Sequence, residues 1–148
     1  NTIFLITADH CASSAGRTEI PLHKYHIPAL IFAPGFVAPQ QIEGIVSQID
    51  LMPTLLSLLN MSYDSHFYGR SLFDPAYVNR AFIATYQDLG YLEGDTFTIL
   101  LPVRRFEQYR VVPTEENPHN LEPAAQTDTT QLDRAVYYYQ TSCKWHKR

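Results

Sequence analysis

The chain has 148 residues, 45% of them apolar and 18% charged, which suits one domain with a sizeable core. Eleven Lys and Arg against 15 Asp and Glu leave a formal net charge of −4. That argues against a nucleic-acid partner, whose recognition needs a basic patch. No run of 18 consecutive apolar residues occurs, so no membrane-spanning helix is expected, and two cysteines (Cys11, Cys143) do not make a disulfide framework.

The opening stretch, Ile3-Phe4-Leu5-Ile6-Thr7-Ala8-Asp9-His10, is a short apolar run that delivers an acid and a histidine. Runs of this kind are the mark of buried strands in parallel sheets, and ligands gather beyond the carboxyl ends of such strands. The chain starts almost inside this strand, and a buried strand needs neighbours on both edges. The expectation is therefore a C-terminal piece of a longer protein. Residues 11–17, rich in Ser, Ala and Gly, predict a loop. A second buried strand is predicted over residues 28–33, opened by Pro28 and closed by Pro34-Gly35.

A short strand is expected over 43–48, and then a helix over 50–60. Asp50 is placed to cap it, Pro53 lies in the first turn, Leu51, Leu55, Leu58 and Leu59 share a face, and Asn60 is a stop. From Arg80 the texture changes. Residues 81–86, 96–101 and 105–112 predict three strands, antiparallel because their connections are short. Residues 113–123, with three prolines, predict a loop. A helix over about 128–145 carries an apolar stripe of Leu132, Val136, Tyr139 and Cys143. Acids early and bases late in that segment complement its dipole. The division is residues 1–79 and 80–148, the second part completing the same domain.

Asp9 and His10 offer a carboxylate oxygen and an imidazole nitrogen, both good ligands for a divalent ion. Neighbouring strand residues point to opposite faces, so both reach one ion only if the chain turns there. The plainer alternative is an Asp capping the next turn beside a backbone-bonded histidine. His23 and His26, three apart, share a face on a helical turn and can bind an anion or complete a second metal site; alone, they read as polar loop residues. Lys24 and Arg17 can hold a phosphate or sulfate, or simply be solvated. Ser13 and Ser14 lack a Gly-x-Ser-x-Gly elbow. Cys11 can be a reactive thiol or a small buried hydrophobe. His66, His119 and His146 read as isolated surface residues, and Tyr137-Tyr138-Tyr139 as helix packing.

Four stretches in order go further: Ile3 through His10, then Lys24-Tyr25-His26-Ile27-Pro28, then Ser47-Gln48-Ile49-Asp50-Leu51-Met52-Pro53-Thr54-Leu55-Leu56, then Gly69-Arg70-Ser71-Leu72. Together they resemble the C-terminal part of the sulfatase domain of the alkaline-phosphatase superfamily, in the branch of phosphoglycerol transferases similar to lipoteichoic acid synthase. The resemblance covers about residues 1–73, and residues 82–102 look like the sheet that ends the catalytic domain of that branch. It implies an α/β fold: the C-terminal part of a mixed sheet with flanking helices, followed by a small antiparallel sheet and a C-terminal helix.

The resemblance also implies a divalent metal (Mn, Mg or Zn) with Asp9 and His10 among its ligands. His26 would lie near the phosphoryl group with His23 as its companion, while Asp50 and Pro53 set a structural helix start; Lys24 and Arg17, from the reading of the residues themselves, join them as candidate substrate-binding residues. The family's nucleophile, threonine in the transferases and a modified cysteine or serine in sulfatases, lies upstream together with a further acidic ligand. No Cys/Ser-x-Pro-x-Arg motif occurs. The implied partners are an upstream part of the same protein and a phosphoglycerol-bearing lipid or glycan. The implied place is extracytoplasmic, tethered by membrane spans outside this chain. The chain alone is then expected to be inactive. The alternatives are a sulfatase or phosphodiester hydrolase on the same scaffold, or a non-catalytic module binding a glycan or a partner.

Overall fold

A computed structural model describes residues 2–11 and 20–145, the last without its side chain. Arg17, Ser13, Ser14 and His146 lie outside the described residues. The architecture is the expected mixed α/β one, built on two sheets. Strands β1 (Phe4–Thr7) and β2 (Ala29–Phe32) form a two-stranded sheet. They pair antiparallel, Phe4 opposite Phe32 and Ile6 opposite Leu30. The expected burial is not met within this chain: Phe4, Ile6, Leu30 and Phe32 lie on one face and are each at least half exposed. An apolar run shows that a face is apolar; it does not supply the layer that covers it.

The expected strand over 43–48 does not form. The chain runs irregularly to a 3-10 turn, Gln48–Asp50, which leads into helix α1 (Leu51–Leu58). Asn60 ends the helical segment in the left-handed region (φ 51°), as its stop role requires. Asp50 does not cap α1. Its carboxylate is fully buried and turns toward the following segment. Oδ2 accepts from Arg80 Nη1 (3.0 Å), the Tyr77 hydroxyl (2.9 Å) and Ser47 N–H (3.3 Å). Oδ1 accepts from Arg80 Nη2 (3.1 Å) and Arg70 N–H (2.8 Å). Gly69 lets the strap 69–72 lie against the start of α1, since a Cβ there would fall 1.9 Å from the Ile49 carbonyl oxygen. Leu72 N–H then closes on Thr54 Oγ1 (3.1 Å).

The second sheet is an antiparallel meander of β3 (Arg80–Ala84), β4 (Leu89–Glu93), β5 (Thr96–Leu101), β6 (Arg105–Val111) and β7 (Leu121–Pro123), in chain order. Strands β4 and β7 were not predicted. Gly90 masks β4 in the sequence, and the prolines mask β7. Gly90 is there for packing: a Cβ would sit 2.8 Å from the Phe97 ring on the next strand. Phe97, Ile83 and Ile99 form the core of one face together with Ile20 and Leu22, and Tyr25, Tyr109, Val111 and Leu121 pack around them. The 3-10 turn Leu22–Lys24 is thereby docked on this face.

The other face is covered by helix α2 (Thr129–Trp145), close to the predicted bounds. Its inward side is turned by one residue, about 100°, from the predicted stripe. Gln131 and Ala135 are the buried positions, while Cys143 is exposed. A glutamine faces inward because sheet polar groups need it. The Thr98 hydroxyl donates to Gln131 Oε1, and Gln131 Nε2 donates to the Thr96 carbonyl (2.6 Å). Gln108 Nε2 donates to Thr98 Oγ1 (2.9 Å), and Asp128 Oδ1 accepts Gln131 N–H (2.9 Å), capping the helix. Tyr138 and Tyr139 meet the Phe82 ring edge to face, and the Tyr139 hydroxyl shares its one proton between the carbonyls of Gly90 (2.8 Å) and Ile83 (3.1 Å). Burial pushes the Tyr139 hydroxyl up to about 12.

Removing one partner of a buried ion pair leaves the other charged and unpaired. Asp50→Ala is therefore expected to destabilise the fold by about 3–5 kcal/mol. Arg80→Met in the same background should cost much less than it does alone. Urea unfolding of the two single variants and the double variant measures this; additive losses would contradict the coupling. Gly90→Ala should cost about 1–3 kcal/mol by overpacking, read as a lower urea midpoint with unchanged slope.

Candidate active site

Asp9 and His10 follow β1 where the chain bends away from the strand. The turn that would let both reach one ion is present: Asp9 Oδ2 and His10 Nε2 lie 3.6 Å apart, and both side chains are largely exposed. His10 Nδ1 is 2.8 Å from the Cys11 carbonyl oxygen. A carbonyl oxygen only accepts, so Nδ1 is the donor there, and in the neutral ring Nε2 is the atom free to bind an ion. The His10 N–H also donates to Asp9 Oδ1 (2.9 Å). The strand end is held from two sides. Gln48 Nε2, next to the Asp50 cluster, donates to the Ala8 carbonyl (2.9 Å). The Thr7 hydroxyl lies 3.2 Å from the Pro28 carbonyl, to which it donates.

An oxygen and a nitrogen donor of this kind suit Zn, Mn or Mg chemistry. They fit as two ligands of a site, and no more. Among the described residues no group of three or more His, Cys, Asp or Glu is arranged to hold a metal ion.

His26 stands beside this pair. Cys11 is half-buried, and its Sγ lies 3.6 Å from the His26 carbonyl oxygen, near enough for a weak S–H donor. His23 is exposed at the 3-10 turn and Lys24 is half-buried in it; Arg17 falls outside the described residues. Asp9, His10, Cys11, Tyr25 and His26 line one groove.

One groove residue was missed. His119, expected to be an isolated surface residue, is half-buried on the loop between β6 and β7. Its ring meets that of His26 edge to face, centroids 5.4 Å apart and planes at 86°. Burial, then the imidazoles of His26 and His23, hold its pKa below the ordinary histidine value. Nothing local in the sequence signals this, because the pairing spans 93 positions and depends on how the sheet closes. His66 is exposed, as expected.

The chain has recognisable relatives among known proteins. The family model described as Sulfatase matches residues 1–61. The chain is 32% identical over 77 residues to Arylsulfatase K of Canis lupus familiaris and 30% identical over 76 residues to that of Gallus gallus. These matches cover 49% and 48% of the chain, and 14% of each relative. A crystal structure of a protein in the alkaline phosphatase superfamily from Vibrio parahaemolyticus superposes with a TM-score of 0.85 at 28% identity, covering 98% of this chain and 35% of that one. The chain thus spans about a seventh of the length of the curated relatives and about a third of the solved neighbour. Residues 1–61, with the opening strands, the Asp9-His10 turn and α1, match the sulfatase family, and the chain as a whole has the fold of the alkaline-phosphatase superfamily.

Proposed function

We propose that this chain is the metal-binding C-terminal part of a phosphoryl-transfer enzyme, a phosphoglycerol transferase that works outside the cytoplasmic membrane on a phosphoglycerol-bearing lipid or glycan. The observation that carries this reading is the Asp9–His10 pair, whose free Nε2 and carboxylate oxygen meet at a strand end held by Gln48. Members of the superfamily generally depend on divalent metals, and Asp9 and His10 would hold such an ion. Bound there, it supplies charge neutralisation at the transferring group and makes the attacking hydroxyl more acidic.

The chain's own residues do the rest. His26 donates a hydrogen bond to an oxygen of the group in transfer, where positioned donors contribute most. His23, Lys24 and Arg17 recognise the anionic remainder of the substrate. The nucleophile and a further acidic ligand are assigned to a part of the same protein that precedes residue 1. The size of the groove supports such a partner. At about 1730 Å³ it exceeds the roughly 300–1,000 Å³ of small-ligand pockets. Its walls include the apolar β2 residues Leu30 and Phe32.

A second reading, hydrolysis of a sulfate ester or phosphodiester on the same scaffold, is favoured by the likeness to Arylsulfatase K.

The purified 148-residue chain should show no turnover of a phosphodiester or of p-nitrophenyl sulfate. Joined to its preceding coding sequence, it should transfer phosphoglycerol from a lipid donor to an acceptor. Asp9→Ala should lower that rate about a hundredfold or more, since even an outer partner of a metal ligand is worth 10–100-fold. Near-full activity of a folded Asp9→Ala protein would refute the ligand assignment. Release of sulfate with no glycerol phosphate transfer would replace the transferase reading by the hydrolase one.

A further inference from the structure

His119 comes from a part of the chain beyond the segment that matches the sulfatase family, residues 1–61, yet it lines the same groove as Asp9, His10 and His26. Its placement is built into the fold. The loop carrying it is closed by Val112 N–H donating to the Asn120 carbonyl (2.9 Å) and by Thr114 N–H donating to the Asn117 carbonyl (3.0 Å). Thr114 Oγ1 accepts Asn117 N–H (3.0 Å), and Asn117 Oδ1 accepts His119 N–H (3.0 Å). The loop is flanked by Val111 and Leu121. These pack around the same cluster as Leu22 and Tyr25, which immobilise the turn leading to His26. The spacing of the two imidazoles is therefore fixed by the core beneath them.

The chemistry of the pair is that of an anion subsite. Two rings meet at right angles, so their nitrogens aim along different directions. Among the described residues, neither ring forms an ion pair with a carboxylate. Each imidazole can offer a ring N–H to an oxyanion oxygen. Burial first, and then the neighbouring imidazoles of His26 and His23, hold the His119 pKa below the ordinary histidine value.

We propose that His26 and His119 together bind the oxygens of a tetrahedral oxyanion, the phosphoryl or sulfuryl group of the substrate, so that the antiparallel sheet contributes a substrate-contacting residue to the site. This rests on the phosphoryl- or sulfuryl-transfer reading above for its biological meaning, but not for its test.

The test is the response of the imidazole nitrogens to inorganic phosphate and, separately, to sulfate. It is read in long-range proton–nitrogen spectra of the 148-residue chain, with His26→Asn and His119→Asn used for assignment. The His26 and His119 ring signals should move together along one binding curve in at least one of the two titrations. The anion that binds more tightly identifies the ester class. His119→Phe, which keeps a ring and removes its N–H groups, should weaken the binding seen at His26 about tenfold, the scale of one hydrogen bond to a charged group. His119→Asn, which keeps an N–H donor, should recover part of that loss. Backbone amide spectra report whether each variant is folded.

A His119 signal that stays still in both titrations overturns the proposal, as does unchanged affinity at His26 in both His119 variants. Turnover is a separate matter. Anion binding at the pair without transfer or hydrolysis by the complete protein would end the enzymatic reading and leave the subsite standing.

Discussion

The structure depends on one buried ion pair. Asp50 and Arg80 are 0% and 2% exposed, and the carboxylate accepts from five donors that come from the 3-10 turn, the 69–72 strap, Tyr77 and the first residue of β3. Burial works against the Arg80 charge, and the hydrogen bonds and charge of Asp50 more than offset it, so its pKa lies above the ordinary value. The guanidinium also faces the rings of Phe82, Tyr77 and Tyr138, each within 6 Å of its carbon. A hydrophobic pair of similar volume could be as stable. The ion pair adds direction: five donors fix the angle at which the helical segment meets the antiparallel sheet.

That angle matters at the site. Gln48, two residues before Asp50, reaches back to the Ala8 carbonyl and so anchors the strand end that carries Asp9 and His10. The second anchor is apolar. Leu22 and Tyr25 seat the turn before His26 on the sheet through Ile83, Phe97 and Ile99. The Asp9–His10 pair is thus positioned from the α1 side of the fold and the His26–His119 pair from the sheet side. Both anchors end on β3, at Arg80 and at Ile83. A site assembled this way has rigid supports beneath exposed donor atoms, which is what a preorganised site requires.

The elements with strong local signals were legible in the sequence. Strands β1 and β2, helix α1 with its Asn60 stop, strands β3, β5 and β6, and helix α2 all follow from periodicity and turn chemistry. What failed had non-local causes. Strand β4 was hidden by Gly90, whose missing side chain makes room for a Phe97 ring that only the paired strand brings near. The inward face of α2 was misread because hydrophobicity was used to find it, whereas the inward position belongs to Gln131, chosen by the polar groups of Thr96 and Thr98. Asp50 looked like a helix cap because sequence shows its neighbours and not Arg80, thirty positions on. In the groove, the Asp9–His10 juxtaposition was legible and the placement of His119 beside His26 was not: adjacency writes the first, and only sheet closure writes the second.

Two deficits of the described chain share one location. The two-stranded sheet has a face of Phe4, Ile6, Leu30 and Phe32 that no other part of it covers, and two-stranded sheets are marginal by themselves. At the end of that sheet, Asp9 and His10 supply two donors where zinc takes about four ligands and magnesium more. On the reading proposed here, a preceding segment covers the apolar face and brings the remaining acidic ligand together with the nucleophile. Covering about four large apolar side chains is worth several kcal/mol, far more than orienting one carboxylate requires. Hydrophobic completion of the sheet would then drive completion of the site, and the donor atoms would need no more than weak affinity for an ion until the sheet is whole.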